Sequence, residues 1–200
     1  MRLRAAAEPD LGTLFELIGV YARRGLLLPR SQASLRARLG EFVVAVRETP
    51  WGEQVVGCGA LTRLAPGLGE LRSLAVRADA TGRGVGWAIA GHLLGHARRR
   101  GLLEVLALTR RPGFFEALGF LPTRRERFPA KLRADCSGCP FDAGCGEVAL
   151  VARLPAASAQ RGEPHEPGVG GYRGAGQDRA GAGEGRPGLG GAVEHPIAAA

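Results

Sequence analysis

Apolar residues near the start of the chain recur with the period of an α-helix. They fall at i, i+3, i+4, i+7, i+10 and i+11, at Leu11, Leu14, Phe15, Ile18, Tyr21 and Ala22. This spacing predicts a helix that begins at Pro9-Asp10 and ends at Gly25. Ser31 is placed to cap a second short helix, which runs to Leu39. A short strand over residues 2–6 precedes both helices.

Beyond residue 40 the pattern changes to short apolar runs bounded by turn residues, which is typical of strands. The predicted strands cover residues 42–46, 54–61, 70–76, 103–108 and 147–154, with a further strand restarting at Gly119-Phe120. A long helix from Gly84 to Arg100 and a short one from Pro112 to Leu118 lie between the later strands. A hairpin meander with one parallel crossover is neither doubly wound nor a barrel, and it predicts an α/β (α+β) fold.

A glycine-rich loop follows the strand 70–76 and opens the long helix. Gly82, Gly84 and Gly86 carry no side chains, so backbone N–H groups there can converge on an anion at the positive end of the helix. The dinucleotide-binding fingerprint does not fit, because position 89 is Ile where that motif has glycine. The loop therefore predicts a phosphate site beside the carboxyl end of the strand, although glycines of this spacing also occur in simple turns.

Composition divides the chain into a domain, residues 1–155, and a tail, residues 156–200. The tail consists mainly of Gly, Ala, Pro and scattered charges, which predicts disorder because it cannot bury enough apolar surface. It holds four arginines against five acidic residues, so the domain carries the whole net charge of +8 and one unit more. A basic domain favours nucleic acid, membrane surfaces or phosphorylated ligands as partners.

Other features exclude some classes of protein. No apolar run approaches the ~20 residues of a membrane span, and the first residues begin no signal peptide, so a cytoplasmic location without a membrane partner is expected. There the four cysteines are expected to be reduced. Cys136, Cys139 and Cys145 could ligate zinc, but only one complete C-x2-C pair is present, so no metal is predicted. A redox role and simple packing stay open as alternatives.

Three segments together resemble one family. The strand Leu74-Ala75-Val76, the loop Thr81-Gly82-Arg83-Gly84-Val85-Gly86 and the later Phe114-Phe115-Glu116-Ala117-Leu118-Gly119-Phe120 are similar to the acetyl-CoA-binding core of GCN5-related N-acetyltransferases (GNAT). Within that family the chain looks most like the short, stand-alone N-acetylglutamate synthases. That likeness rests on Leu28-Pro-Arg30, on Glu70 to Val76 and on the string from Lys131 through Asp135 and the three cysteines to Glu147.

The resemblance implies a mixed, mostly antiparallel sheet with helices on both faces and acetyl-CoA as acetyl donor. The residues it assigns to the cofactor are Leu74, Ala75, Val76, Thr81, Gly82, Arg83, Gly84, Val85 and Gly86. Arg77 is a further cation that could neutralise phosphate charge. Two departures matter: Thr81 replaces the usual Arg or Gln of the loop, and Phe115 replaces the Tyr that protonates the leaving thiolate in many relatives.

The same resemblance assigns the acceptor site. Glu70 stands where several relatives place a general base, which must remove a proton from the ammonium before it can attack. Arg30, Arg72 and Lys131 are the candidates for binding the carboxylates of the acceptor. Each of these four residues has an ordinary alternative as an ion-paired structural side chain. Strand alternation places Glu70, Arg72, Leu74 and Val76 on one face and Ser73 on the other.

The sequence therefore predicts an N-acetyltransferase of amino acids, most specifically one that acetylates the α-amine of L-glutamate at the start of arginine biosynthesis. One alternative acceptor is another amino acid, a small amine or a protein N-terminus. A second alternative is a basic nucleic-acid-binding module, suggested by the run Arg98-Arg99-Arg100, but aromatic residues for base stacking are only 6% of the chain. A homodimer stays open as a further partner.

Overall fold

The computed structural model describes residues 1–136, 139, 144–155 and the backbone of a two-residue strand at 198–199. The helices in this part of the chain are α1 (Leu11–Arg23), α2 (Gln32–Ala37), α3 (Val85–Arg99), α4 (Pro112–Ala117) and the short turn α5 (Pro129–Lys131). The strands are β1 (Arg2–Ala5), β2 (Phe42–Thr49), β3 (Gly52–Ala65), β4 (Leu68–Val76), β5 (Glu104–Thr109), β6 (Leu121–Thr123), β7 (Val148–Arg153) and β8 (Ala198–Ala199).

The strands form one mixed sheet in the order β1-β2-β3-β4-β5-β7-β6, with β8 beside β4. Every described pairing is antiparallel except β4 with β5, which the helix α3 connects as a parallel crossover. The predicted α/β class and the meander with one crossover are therefore confirmed. Apart from β8, the predicted tail at 156–200 lies outside the described residues, and its disorder stays a prediction.

Helices cover both faces of the sheet. On one face α3 buries Ile89 and Leu93 against Leu74 of β4. A Cβ at Gly59 of β3 would lie only 2.8 Å from Ile89 Cγ2, so the missing side chain lets the helix approach the strand closely. On the other face α1 packs against β2 and the middle of the sheet, burying Tyr21 and its neighbours.

The helical period identified α1 correctly but misplaced one of its side chains. Leu11, Leu14, Ile18 and Tyr21 are buried as predicted, whereas Phe15 is 39% exposed. Leu17 is buried instead, because the helix faces the sheet at a slightly different angle than the predicted stripe. At its end Gly25 adopts φ 67°, and Ser31 Oγ accepts a hydrogen bond from the Ser34 N–H at 3.1 Å, so the predicted stop and the predicted cap of α2 are confirmed.

Strands β4 and β5 pair over only part of their length. Their register runs from Leu68 opposite Glu104 to Glu70 opposite Leu106. Past that point β5 remains paired with β7, while the described neighbour of β4 on this side is β8, at Leu74 and Ala75. The two strands therefore separate just where the predicted site lies.

Candidate functional site

A backbone irregularity at Ser73 determines which β4 side chains enter the site. Ser73 has φ 53°, the only positive value for a non-glycine among the described residues, and the register with β3 shifts opposite it. Such a bulge adds a residue to the strand and reverses the alternation beyond it. Glu70, Arg72 and Ser73 consequently line one pocket, whereas Leu74 packs into the core under α3.

The predicted alternation is therefore wrong beyond Arg72. Leu74 and Val76 lie in the core on the α3 face, and Ala75 lies on the α1 face. The prediction that Ser73 points away from Glu70 and Arg72 is also wrong, because Ser73 lines their pocket. A strict period of two cannot show a bulge, and serine at positive φ is too uncommon to be expected there.

The pocket, called here the charged pocket, gathers side chains from separate parts of the chain. Its charged lining is Arg30 from the α1–α2 connection, Glu70 and Arg72 from β4, Lys131 from α5, and Glu147 just before β7. Leu27, Leu28 and Leu108 form an apolar wall. All four residues predicted for the acceptor site, Glu70, Arg30, Arg72 and Lys131, thus meet in one place.

Glu70 and Lys131 form the deepest contact in the charged pocket. Lys131 Nζ binds Glu70 Oε1 directly, and their side chains are only 5% and 2% exposed. Glu70 Oε2 has no hydrogen-bond partner among the described residues, and Arg72 Nη1 lies 3.5 Å from it as an ionic neighbour. Both oxygens of Glu70 therefore lie next to a cation, and Oε2 is the one that accepts no hydrogen bond from the described residues.

Asp135 connects the three cations of the charged pocket. Its Oδ2 lies 2.9 Å from Lys131 Nζ and 3.1 Å from Arg72 Nη1. Its Oδ1 lies 3.3 Å from Arg72 Nη2 and 3.3 Å from Arg30 Nη1. Arg72 thus binds this carboxylate with both arms of its guanidinium, the geometry in which arginine takes carboxylate ligands.

Burial and charge shift the proton affinities of this cluster. Burial raises the pKa of Glu70 above its usual value, although Lys131 partly opposes the change. Burial alone would lower the pKa of Lys131, but Glu70 and Asp135 outweigh it, and the pKa is raised. Burial likewise opposes ionisation of Asp135, but Lys131 and Arg30 prevail and its pKa is lowered. Glu70 is accordingly the strongest base among the carboxylates of the cluster.

The glycine-rich loop has the conformation that an anion cradle requires. Gly82 and Gly84 have φ values of 71° and 75°, and α3 begins immediately afterwards at Val85. A Cβ built at Gly84 would meet nothing within 4 Å, so the loop surface there is open to a ligand. Backbone N–H groups at the start of a helix suit phosphate oxygens. These residues fit the pyrophosphate of a nucleotide carrier.

Of the three predicted side chains around this loop, two have ordinary local partners. Thr81 Oγ1 donates a hydrogen bond to the Ala78 carbonyl at 2.8 Å. Arg77 pairs with Asp79 at 3.0 Å, with both groups largely exposed. Arg83 is exposed, and no ion pair is found for it within the part of the chain that the structure describes. A phosphate contact by Thr81, Arg77 or Arg83 therefore stays a prediction, and the backbone is the stronger feature.

Phe115 has no hydroxyl to take the place of the usual tyrosine, and Cys58 does not supply a substitute. Phe115 is fully buried, with ring centroids 5.2 Å from both Phe114 and Phe120 in edge-to-face contacts. Cys58 is also buried, and burial raises its pKa to about 12, so its thiol stays protonated at neutral pH. Neither residue is an acid or a nucleophile suited to chemistry near pH 7.

The cysteine string is only partly described. Cys136, Cys139 and Cys145 are free thiols of intermediate burial, and the intervening residues 137–138 and 140–143 lie outside the described part. Within the described residues there is no group of three or more His, Cys, Asp or Glu side chains arranged to hold a metal ion. The roles weighed for this string therefore stay predictions. Over the same residues, no helix has the length and apolarity that crossing a bilayer requires.

Two residues of the charged pocket were missed as site residues. Asp135 and Glu147 both occur in the string that carried the resemblance. Their positions beside the cations of the pocket depend on contacts between segments that are distant in sequence. The separation of 63 residues between Arg72 and Asp135 is invisible to any periodic pattern. Only the position of Asp135 four residues after Lys131, one helical turn on, hinted at their contact.

A glycine-rich turn suited to phosphate, beside a strand that separates from its parallel neighbour, fits the phosphorylated acyl carrier that an acyltransferase binds. The sequence profile of the Acetyltransferase (GNAT) family matches residues 14–120. The uncharacterized N-acetyltransferase CT2212 of Chlorobaculum tepidum is 32% identical over 152 residues, which are 76% of this chain and 96% of that protein. The chain belongs to the GNAT family of acetyltransferases, whose acetyl donor is acetyl-CoA.

Two further similarities concern amino-acid acetyltransferases. A protein of that name from Mycobacterium tuberculosis is 39% identical over 118 residues, which are 59% of this chain and 67% of that protein. The N-acetylglutamate synthase of Neisseria gonorrhoeae, solved with coenzyme A and N-acetyl-glutamate, aligns with a TM-score of 0.68 at 28% identity. That alignment covers 77% of this chain but only 35% of the longer synthase.

Proposed function

We propose that this acetyltransferase acetylates the α-amine of L-glutamate, the entry step of arginine biosynthesis. The observation that carries the proposal is the convergence of three cations and one buried carboxylate, Glu70, in the charged pocket beside the opened edge of β4. The similarity to a synthase solved with N-acetyl-glutamate supports it.

The backbone of the glycine-rich loop and of β4 is the proposed cofactor site. Gly82 to Gly86 would present N–H groups to the pyrophosphate, and Leu74 to Val76 would offer their edge to the amides of the pantetheine arm. When bound, acetyl-CoA supplies the thioester whose acetyl group is transferred. No protein nucleophile is required, because the amine attacks this thioester directly.

Glu70 is the proposed general base. An amino acid at neutral pH carries an ammonium group, which has no lone pair until a proton is removed. Burial raises the pKa of Glu70, and Oε2, which accepts no hydrogen bond from the described residues, is the proposed acceptor for that proton, directly or through a water molecule. Lys131 holds Oε1 and so fixes the orientation of the carboxylate.

The bulge at Ser73 has a proposed role in the same step. As the amine attacks, negative charge develops on the thioester oxygen and is stabilised by a well-aimed N–H donor. The positive φ of Ser73 turns the backbone between Arg72 and Leu74 out of the regular ladder. A backbone N–H at Leu74 or Ala75 is the proposed donor.

Acceptor selection is assigned to Arg30, Arg72 and Lys131. Glutamate brings two carboxylates, and fork-shaped guanidinium groups bind carboxylates better than a single ammonium does. Arg72 is 8% exposed and Arg30 is 20% exposed, so both charges lie where water screens them little. Amino acids with a single carboxylate would leave part of this positive charge unmatched.

An acetyl-CoA assay against the twenty amino acids, read as release of free thiol, tests this function. Glutamate is expected to give the highest kcat/KM, and product mass should increase by one acetyl group. Glu70→Gln serves as the control that removes the proposed base. If another amino acid gives the highest kcat/KM, glutamate is not the acceptor. If no amino acid releases thiol, the protein is not an amino-acid acetyltransferase.

A further inference from the structure

The carboxylate of Asp135 occupies the charged pocket as a ligand would. It bridges Arg30, Arg72 and Lys131, three cations that come from separate segments of the chain, at distances between 2.9 and 3.3 Å. Arg72 presents both of its Nη atoms to it. The groups best suited to hold the carboxylate of an acceptor are thus already engaged by a carboxylate of the chain itself.

The charged pocket also has little space left beside these side chains. The enclosed space of the charged pocket is about 20 Å³, room for one water molecule. Arg30 and Arg72 line this space, and Asp135 binds the guanidinium groups that an acceptor carboxylate would need. Glu70 and Lys131 are poor candidates to move aside, since their side chains are only 2% and 5% exposed and are paired with each other.

Asp135 is the carboxylate of the cluster best placed to move. Its side chain is 12% exposed, more than those of Glu70, Arg72 and Lys131, so it lies nearer the mouth of the pocket. It belongs to a π-helical turn, Leu132–Cys136. Such turns are rare and less regular than α-helix, and they occur frequently at functional sites.

We propose that Asp135 is an internal stand-in for an acceptor carboxylate, and that the acceptor binds by displacing it from Arg30 and Arg72. This inference rests on the proposed function for the identity of the acceptor. With Asp135 withdrawn, three cations face the two carboxylates of Glu70 and Glu147, and three minus two leaves a charge of +1. A dicarboxylate amino acid in its ammonium form carries a net charge of −1 and matches it, whereas a monocarboxylate amino acid is neutral overall.

Displacement by the acceptor has a thermodynamic consequence. If the Asp135-bound state accounts for about nine-tenths of the molecules, it weakens the apparent affinity for a carboxylate ligand about tenfold. Asp135→Asn keeps the size of the side chain and removes its charge, so the arginines are no longer occupied by a competing anion. The variant should therefore bind a dicarboxylate more tightly than the wild-type protein.

Calorimetric titration with glutarate, a dicarboxylate without an amine, measures this without any acetyl transfer. Asp135→Asn is expected to lower the Kd for glutarate by about tenfold. Glu147→Gln is the matched control: it removes the same charge from the lining of the same pocket, yet Glu147 makes no described ion pair with these cations. Its effect should be clearly smaller. An equal effect of the two variants, or unchanged or weaker binding in Asp135→Asn, would overturn the proposal.

A second variant keeps the proposal testable if Asp135→Asn folds poorly. Asp135→Ala opens a hole between the cations, which formate is small enough to enter. Formate is expected to raise the Tm of Asp135→Ala more than that of the wild-type protein, and an equal shift in both would contradict the stand-in role. Because neither experiment involves catalysis, tighter glutarate binding without any amino-acid acetylation would preserve this inference while refuting the proposed function.

Discussion

Glu70 is the residue on which the proposed chemistry depends, because burial raises its pKa and its Oε2 accepts no hydrogen bond from the described residues. Glu70→Gln keeps the size and polarity of the side chain but removes the base. We expect kcat near neutral pH to fall by roughly 10²–10⁴. The loss should shrink at high pH, where free amine is already abundant, and coenzyme A affinity should not change.

The dependence of kcat/KM on pH in the wild-type protein is a second test of Glu70 as the general base. A general base must be ionised, so kcat/KM should fall as the pH drops through the raised pKa of Glu70, above the usual carboxyl value of 4.5. Glu104→Gln is a suitable control, because Glu104 is a partly exposed carboxylate paired with Arg127 at 3.4 Å, away from the charged pocket. Equal activity of Glu70→Gln and the control would make Glu70 a structural carboxylate.

A substitution of Lys131 tests how much its ion pair stabilises the buried carboxylate of Glu70. Lys131→Met leaves the buried Glu70 without its closest cation, and breaking a buried pair in this way costs about 3–5 kcal/mol of unfolding free energy. The pKa of Glu70 then rises further. Protonation removes the unpaired charge, so the loss should be largest above neutral pH and should diminish as the pH falls through that pKa. Urea unfolding at pH 5 and pH 8 measures the difference; an equal loss at both values would mean that Glu70 is not charged.

At this scale the sequence identified the right side chains but not all their neighbours. Glu70, Arg30, Arg72 and Lys131 were predicted from the family resemblance and do meet in one pocket. The bridging Asp135 was not predicted as a site residue, because the fold and not a local pattern brings it to Arg72. Its role and those of the four predicted residues remain proposals.

At the scale of elements, the glycine loop and the start of α3 provide the sharpest prediction. Gly84→Val places a branched side chain at φ 75°, where side chains are strained, and into the open space of the proposed phosphate cradle. Coenzyme A binding should be abolished while the fold largely persists. Calorimetry with coenzyme A and circular dichroism measure the two effects.

Gly91→Val is the matched control for that loop variant. Gly91 is exposed on the same helix, and a Cβ there would meet nothing within 4 Å. Valine is a better helix former than glycine, so this variant should not lose helix stability and should leave cofactor affinity intact. Normal coenzyme A binding by Gly84→Val would show that the phosphate site lies elsewhere.

Elements with a clear period were predictable, and irregular ones were not. The sequence located α1, α3 and the main strands to within a few residues, since their apolar patterns are long enough to be distinctive. The bulge at Ser73 and the turns from Pro129 to Cys136 were missed. Both depend on tertiary contacts, and both contribute to the charged pocket, so the functional region was the least predictable part of the fold.

At the scale of the whole molecule, the predicted tail should be dispensable for folding. The part of it that the structure describes, β8, pairs with β4 through two residues only, at Leu74 and Ala75. A few backbone hydrogen bonds of about 1 kcal/mol each would be lost on truncation. A chain ending at Pro155 should therefore melt within a few degrees of the full chain. It should also bind coenzyme A at least as well, because β8 lies on the edge proposed for the pantetheine arm. A larger drop in Tm, or weaker binding, would contradict this.

The overall topology was predictable because most of its contacts are between neighbouring segments. Hairpins bring β2, β3 and β4 together in sequence order, and α3 supplies the parallel crossover to β5. The separation of β4 from β5 beyond Glu70 was not predicted from the sequence pattern. No local pattern marks where two strands stop pairing, since that depends on the bulge and on the strands beyond them.

The identity of the acceptor is tested most directly by kcat/KM for glutamate and glutamine in the wild-type protein and in Arg72→Lys. Lysine keeps the charge but loses one of two parallel hydrogen bonds to a carboxylate, which should cost about 1–3 kcal/mol for glutamate, with the KM for acetyl-CoA nearly unchanged. Arg153→Lys, whose side chain is 79% exposed, is the control and should change neither value.

Glutamine identifies which carboxylate Arg72 holds. If Arg72 binds the side-chain carboxylate, the variant should narrow the preference for glutamate over glutamine; if it binds the α-carboxylate, both substrates should lose equally. Either result supports glutamate recognition by the charged pocket, provided that the wild-type protein prefers glutamate. A wild-type protein that prefers glutamine, or an Arg72→Lys variant that processes both substrates normally, would contradict it.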